Sequence, residues 1–156
     1  MGNYFKVPEG VKTNKKFIKF FRKCKCCIRL SLLLIEKLQS VFECYEYYHK
    51  VQHQKPSLNQ DEFDDVFCSL LNDCQEYFKL LEDKESKQAS FHEAFVALTV
   101  FTKGEFESKI RGLFMAFDLD SSGSIDKKEL LNLLQNAIYG LCKLIGIPCP
   151  HREDIS

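Results

Sequence analysis

Residues 118–129 read Asp118-Leu119-Asp120-Ser121-Ser122-Gly123-Ser124-Ile125-Asp126-Lys127-Lys128-Glu129. A hard dication such as Ca²⁺ takes six to eight oxygen ligands, and a twelve-residue loop supplies them from positions 1, 3, 5, 7, 9 and 12. Here those positions hold Asp118, Asp120, Ser122, the Ser124 carbonyl, Asp126 and a bidentate Glu129. Gly123 falls at position six, where the chain must turn sharply with φ > 0. Ile125 at position eight is expected to pack inward and to offer its backbone for a short strand pairing. The ligand set is that of a Ca²⁺ site, with Mg²⁺ as the alternative hard cation. The competing reading is a solvated acidic turn that caps the following helix through Asp126. It leaves the glycine and the isoleucine at these offsets unexplained. Ser122 stands where Asp or Asn is usual; its hydroxyl is a weaker oxygen donor, so the expected effect is on affinity.

Outward from this loop the apolar residues recur at helical spacing. Before it, Phe106, Ile110, Leu113, Phe114 and Phe117 are expected to share one face of a helix opened by a Thr102/Glu105 capping pair. After it, a helix from Ser124 runs to Gly146 and Pro148, which stop it. Further upstream, Ser90/Glu93 caps a helix carrying Phe95, Leu98 and Phe101. Another helix holds Tyr77, Leu80 and Leu81, with a charged loop over 82–88. Ser57/Gln60 is read as the cap of a helix with Phe63, Val66, Phe67 and Leu70. Leu34, Leu38, Val41, Phe42 and Tyr45 predict a helix that ends before the polar stretch 49–56, and residues 13–29 a basic amphipathic one. No segment reads as an extended strand, so the fold class is all-α, built of helix–loop–helix units.

The runs Ser90-Phe91-His92-Glu93-Ala94-Phe95, Thr102-Lys103-Gly104-Glu105 and Phe114-Met115-Ala116-Phe117-Asp118-Leu119-Asp120 resemble the EF-hand calcium sensors of the calcineurin B and neuronal calcium sensor type, calaxin-like proteins included. The resemblance covers about residues 57–145. It implies paired EF-hands, Ca²⁺-dependent opening of an apolar groove, and a protein target. Counting back from Glu93 and Glu62 locates two further loops, 82–93 and 51–62, and both are degenerate. The former has Lys84 at position three and Lys87 at position six; the latter has Val51 at position one and Pro56 at position six. An ammonium cannot ligate a cation, so neither loop is expected to bind metal. Only 27 residues follow Glu129, too few for a fourth hand. The two degenerate hands can pair with each other, which leaves the intact one without an internal partner. The expected organisation is a basic extension (1–29), a degenerate EF-hand pair (30–101), an intact EF-hand (102–147) and a tail (148–156).

Composition sets the remaining bounds. The chain has 156 residues, 45% of them apolar, with 22 basic and 22 acidic side chains; this excludes collagen-like and wholly disordered classes. Residues 1–29 hold nine basic side chains against Glu9, a local charge of +8, so the rest carries 13 − 21 = −8. No run is apolar enough to span a bilayer and no export signal is evident, so the eight cysteines are expected as reduced cytosolic thiols. Residues 13–29 are a candidate docking element for an anionic membrane surface or an acidic protein. Gly2 and Cys24, Cys26 and Cys27 are candidate acylation sites, although Lys6 breaks the myristoylation pattern. Zinc at Cys142, Cys149 and His151 lacks the usual paired-cysteine spacing, no thiol–imidazole pair marks a nucleophile, and nucleic acid is a poor partner for aromatics that fit a helix face. The expectation is a non-enzymatic, cytoplasmic Ca²⁺-binding regulator or adaptor. A protein partner or a second copy of the chain completes its unpaired hand. The alternative is a structural subunit of a larger assembly such as a ciliary axoneme, with the metal as a static staple.

Overall fold

The computed structural model describes residues 38–51 and 55–151. The basic extension 1–29, with its acylation candidates, lies outside them. In chain order the described elements are α1 (Leu38–Val51), β1 (Ser57–Leu58), α2 (Gln60–Phe67), α3 (Cys74–Leu81), β2 (Ala89–Ser90), α4 (Phe91–Phe101), α5 (Phe106–Phe117) and α6 (Lys127–Ile145). Among the described residues no helix is long and apolar enough to cross a membrane.

The two degenerate loops contain the only described strands. Antiparallel β1 and β2 set Leu58 opposite Ala89 and Ser57 opposite Ser90. Leu58 and Ala89 are both position eight of their loops, so the two hands are joined at equivalent points. This pairing corrects the strand-free reading and moves a helix start. Because Ser57 and Leu58 are extended in the ribbon, the cap of α2 is Asn59: its side chain accepts from Glu62 N–H at 3.0 Å while Glu62 Oε2 accepts from Asn59 N–H at 2.8 Å. Lys87, at position six of the second loop, makes the left-handed turn at φ 56° although it is not glycine.

The core is centred on α4, buried nearly all round rather than along one stripe. Phe91 stacks on Tyr48 of α1, ring centroids 3.5 Å apart, and on Phe67 of α2 at 5.8 Å. α1 runs on to Val51 because His49 stays in the aromatic layer, edge-on to Tyr45 at 4.3 Å. Thr102 does not cap α5. Its buried hydroxyl donates back to the Leu98 carbonyl and closes α4, while Glu105 precedes α5 without a side-chain cap. On α5 the buried stripe is Gly112, Leu113, Ala116 and Phe117, whereas Phe106 and Ile110 are exposed. The expected face therefore holds only over the last turns, where α1 and α4 are there to cover it.

The final helix, α6, packs chiefly on α4, flanked by α3 and α5. Leu144 is fully buried and Cys142 nearly so, while Leu130 and Leu134 are each 48% exposed. The surface of α6 expected to need cover from another chain is thus covered internally along its C-terminal half. Beyond Gly146 the chain turns back along α6, and Tyr139 Oη donates to the Pro150 carbonyl at 3.0 Å.

Candidate metal centre

The loop 118–129 is built by the end of α5 and the start of α6. Asp118 closes α5, its N–H on the Phe114 carbonyl at 2.9 Å. Its carboxylate then accepts from Ser122 N–H and Gly123 N–H, both at 2.9 Å. Asp120 accepts from Ser122 N–H at 3.0 Å; hydrogen bonds from the Ser122 side chain and backbone hold its carboxyl below the usual range. These bonds require the chain to double back, and it does so through Ser121 at φ 55° and Gly123 at φ 77°. At the far end Asp126 and Glu129 form a reciprocal capping box: Asp126 Oδ1 accepts from Glu129 N–H at 2.8 Å and Glu129 Oε2 from Asp126 N–H at 3.0 Å. Glu129 Oε1 reaches across the loop to Leu119 N–H at 2.8 Å.

The result is a cluster in which carboxylate oxygens of Asp118, Asp120 and Glu129 all lie within 4.8 Å of one another, with Glu129 buried. Ser122 Oγ is 3.0 Å from the Ser124 carbonyl and 3.5 Å from Asp118 Oδ1, so the hydroxyl and carbonyl of positions five and seven adjoin the carboxylates. Asp126 is turned to its helix cap and is not part of the three-carboxylate group. Three like charges at this spacing repel, and a divalent cation is the group that offsets them while using only oxygen. The donor set therefore fits a hard cation. Ile125 is half-buried against the core but pairs with no strand among the described residues.

The equivalent carboxylates of the degenerate hands are occupied differently. Glu62, position twelve of the first, receives Lys55 Nζ at 2.7 and 3.0 Å, and hydrogen bonds from the Lys55 side chain and the Asn59 backbone keep it below the usual carboxylate range. Glu93, position twelve of the second, receives Lys143 Nζ at 2.7 Å, and the same ammonium donates to the Leu81 carbonyl at 3.0 Å. Neither lysine stands out in sequence. Lys55 belongs to a polar stretch, and Lys143 is one cation on an apolar helix, a signal only once its neighbour across the fold is known. Cys142, Cys149 and His151 are not among the described residues that group as metal ligands.

Helix–loop–helix units joined at their loops, with one oxygen-lined loop, define an EF-hand protein. Residues 109–140 match the EF-hand domain family. Over two thirds of its length the chain resembles calcium sensors of the neuronal type. It is 30% identical to guanylyl cyclase-activating protein 1 of Gallus gallus over 109 residues (65% of this chain, 54% of the relative). Against guanylyl cyclase-activating protein 2 of Gallus gallus it is 33% identical over 111 residues (67% and 56%). S-modulin of Aquarana catesbeiana is 24% identical over 118 residues (67% and 58%). The chain spans about half the length of the curated relatives it matches. No solved structure gives a significant match.

Proposed function

We propose that the chain is a Ca²⁺-binding regulatory protein whose loop 118–129 holds the ion and whose exposed apolar side chains dock on a protein partner. The observation that carries this reading is the convergence of Asp118, Asp120 and Glu129 beside Ser122 and the Ser124 carbonyl; Asp126, which caps α6, is proposed to join directly or through water when the ion binds. A bound ion supplies the positive charge that offsets the carboxylates; Mg²⁺ shares this chemistry but demands tighter octahedral geometry and keeps more water. The protein's own part is to preorganise. Gly123 makes the turn, the Ser122 and Gly123 N–H groups orient Asp118, and the Asp126 cap fixes where α6 starts.

Phe106, Ile110, Met115, Leu119, Leu130 and Leu134 are all exposed on the two helices and the loop of this hand. Such apolar side chains on one unit favour a protein surface. The relatives' names point to a guanylyl cyclase as the class of target. Isothermal titration is expected to find one Ca²⁺ per chain, abolished or weakened at least about 100-fold in Glu129→Gln, which leaves too few oxygens. ANS fluorescence should rise on Ca²⁺ addition; an unchanged signal favours the static axonemal staple. Light scattering with Ca²⁺ and with EGTA separates a partner-seeking monomer from a chain that completes its third hand with a second copy.

A further inference from the structure

We propose that Lys143 is a positioning residue for the metal loop: its ammonium serves as a built-in cation on Glu93, the position-twelve carboxylate of the second, metal-free hand, and so pins α6 where Glu129 faces Asp118 and Asp120. The inference rests on the reading of loop 118–129 as a Ca²⁺ site and goes on to say what holds that loop ready.

Glu93 is 3% exposed, and a carboxylate at that depth must be paired. In a working hand the residue at position twelve turns to a metal. Here Lys84 puts an ammonium at position three, where a ligand oxygen is required, and the charge is met by Lys143 at 2.7 Å. The same ammonium also donates to the carbonyl of Leu81, the residue just before this loop. One side chain from the third hand thus bridges both ends of the second. One turn earlier on α6, Gly140 lies so close to α4 that a Cβ there would sit 2.2 Å from the Glu93 carbonyl oxygen. Backbone contact and ion pair therefore fall on the same residue of α4, and α6 is anchored at Glu93.

The other half of α6 packs on the core through Leu133 and Ala137 but borders a gap on its polar side. A cavity of about 220 Å³ with polar walls, Asn132, Gln135 and Asn136 on one side and Ser57 and Ser90 on the other, separates it from the β1–β2 ribbon. Glu129 lies in the first turn, about 21 Å along the axis from Lys143 at 1.5 Å rise per residue, so a tilt of about 10° at the anchor moves it by about 4 Å. That displacement exceeds the tolerance of an oxygen cage. The direction of coupling follows by linkage: if the pair favours the metal-ready arrangement, metal must favour the pair.

The test measures Ca²⁺ affinity by isothermal titration and the unfolding midpoint in EGTA for wild type, Lys143→Met, the double variant Lys143→Met/Glu93→Gln, and Phe63→Leu. Phe63 is fully buried on α2, packed on Phe67 and Phe78, belongs to neither the ion pair nor the metal loop, and controls for plain loss of stability. The double variant carries no unpaired buried charge and keeps the test readable if Lys143→Met fails to fold. Both Lys143 variants are expected to bind Ca²⁺ about five- to tenfold more weakly, whereas Phe63→Leu lowers the EGTA midpoint and leaves affinity unchanged. Wild-type affinity in a folded Lys143 variant, or an equal loss in Phe63→Leu, overturns the inference. A wild type that takes up no Ca²⁺ overturns the loop assignment itself, an outcome visible before any variant is compared.

Discussion

Position six of an EF-hand loop isolates one residue's backbone. Gly123 and Lys87 occupy that position in the third and second loops, and both are left-handed, at φ 77° and 56°. Glycine adopts this region freely, whereas a side chain there costs about 1–2 kcal/mol. Nothing lies within 4 Å of a Cβ built on Gly123, so Gly123→Ala tests the backbone alone. It is expected to destabilise by about 1 kcal/mol. Lys87→Gly is expected to stabilise by about 0.5–1 kcal/mol, the relief of strain being partly offset by the greater freedom of glycine in the unfolded chain. Denaturant unfolding in EGTA measures both, and the same sign for the two would contradict the turn geometry. At this scale the convergence of Asp118, Asp120 and Glu129 was legible, because ligand type and spacing are local properties, whereas whether Asp126 turns to its helix cap was not. At Lys87 the residue type reports the cost of the turn, not whether the ribbon between β1 and β2 repays it.

Among the elements, α6 depends on close approach to α4. A methyl added at Gly140 would meet the Glu93 carbonyl oxygen at 2.2 Å and Ala97 Cβ at 3.2 Å, and the first of these is backbone that cannot rotate away. Gly140→Ala is expected to destabilise by about 2–3 kcal/mol through forced separation of the two helices. Differential scanning calorimetry provides the measurement, and a midpoint equal to wild type would show that α6 does not sit on α4 as described. The helices themselves could be located from period and caps, with instructive misses. The α2 cap lies at Asn59 rather than Ser57 because a strand claims Ser57. Thr102 bonds backward to Leu98 instead of forward into α5. Both residues have caps' chemistry, and the neighbouring element decided which way it was used.

For the whole molecule, the aromatic layer makes stability depend on pH. His92 of α4 packs against Phe117 of α5 with ring centroids 5.4 Å apart. Burial, then the neighbouring His49, lowers its pKa to about 4. The unfolded chain protonates this imidazole near pH 6.5 while the folded one does not, so the folded state binds fewer protons between those values. Stability is therefore full above about pH 6.5 and falls with acidification until about pH 4. The integrated loss between pH 7 and pH 5 is about 2 kcal/mol. His49 is shifted the same way by burial and adds to it. Urea unfolding at the two pH values should show this drop in wild type and a clearly smaller one in His92→Leu; equal slopes would place the titration elsewhere.

What the sequence determined by itself was the all-α class and the loop 118–129 in which the carboxylates of Asp118, Asp120 and Glu129 converge, together with the expectation that loops 51–62 and 82–93 take no metal. Each follows from side-chain chemistry read over a dozen neighbouring residues. Tertiary structure alone decided that the degenerate loops join at Leu58 and Ala89, that Phe106 and Ile110 stay exposed while Leu113 and Phe117 are covered, and that α6 folds back onto α4. It also decided that buried Glu93 and half-buried Lys143, fifty residues apart, form one ion pair. A lysine on an apolar helix and a glutamate at the end of a dead loop are each unremarkable in sequence. Their charges cancel only because the crossing of α4 and α6 brings them to 2.7 Å, and that crossing is set by the packing of the whole core rather than by either residue's neighbours.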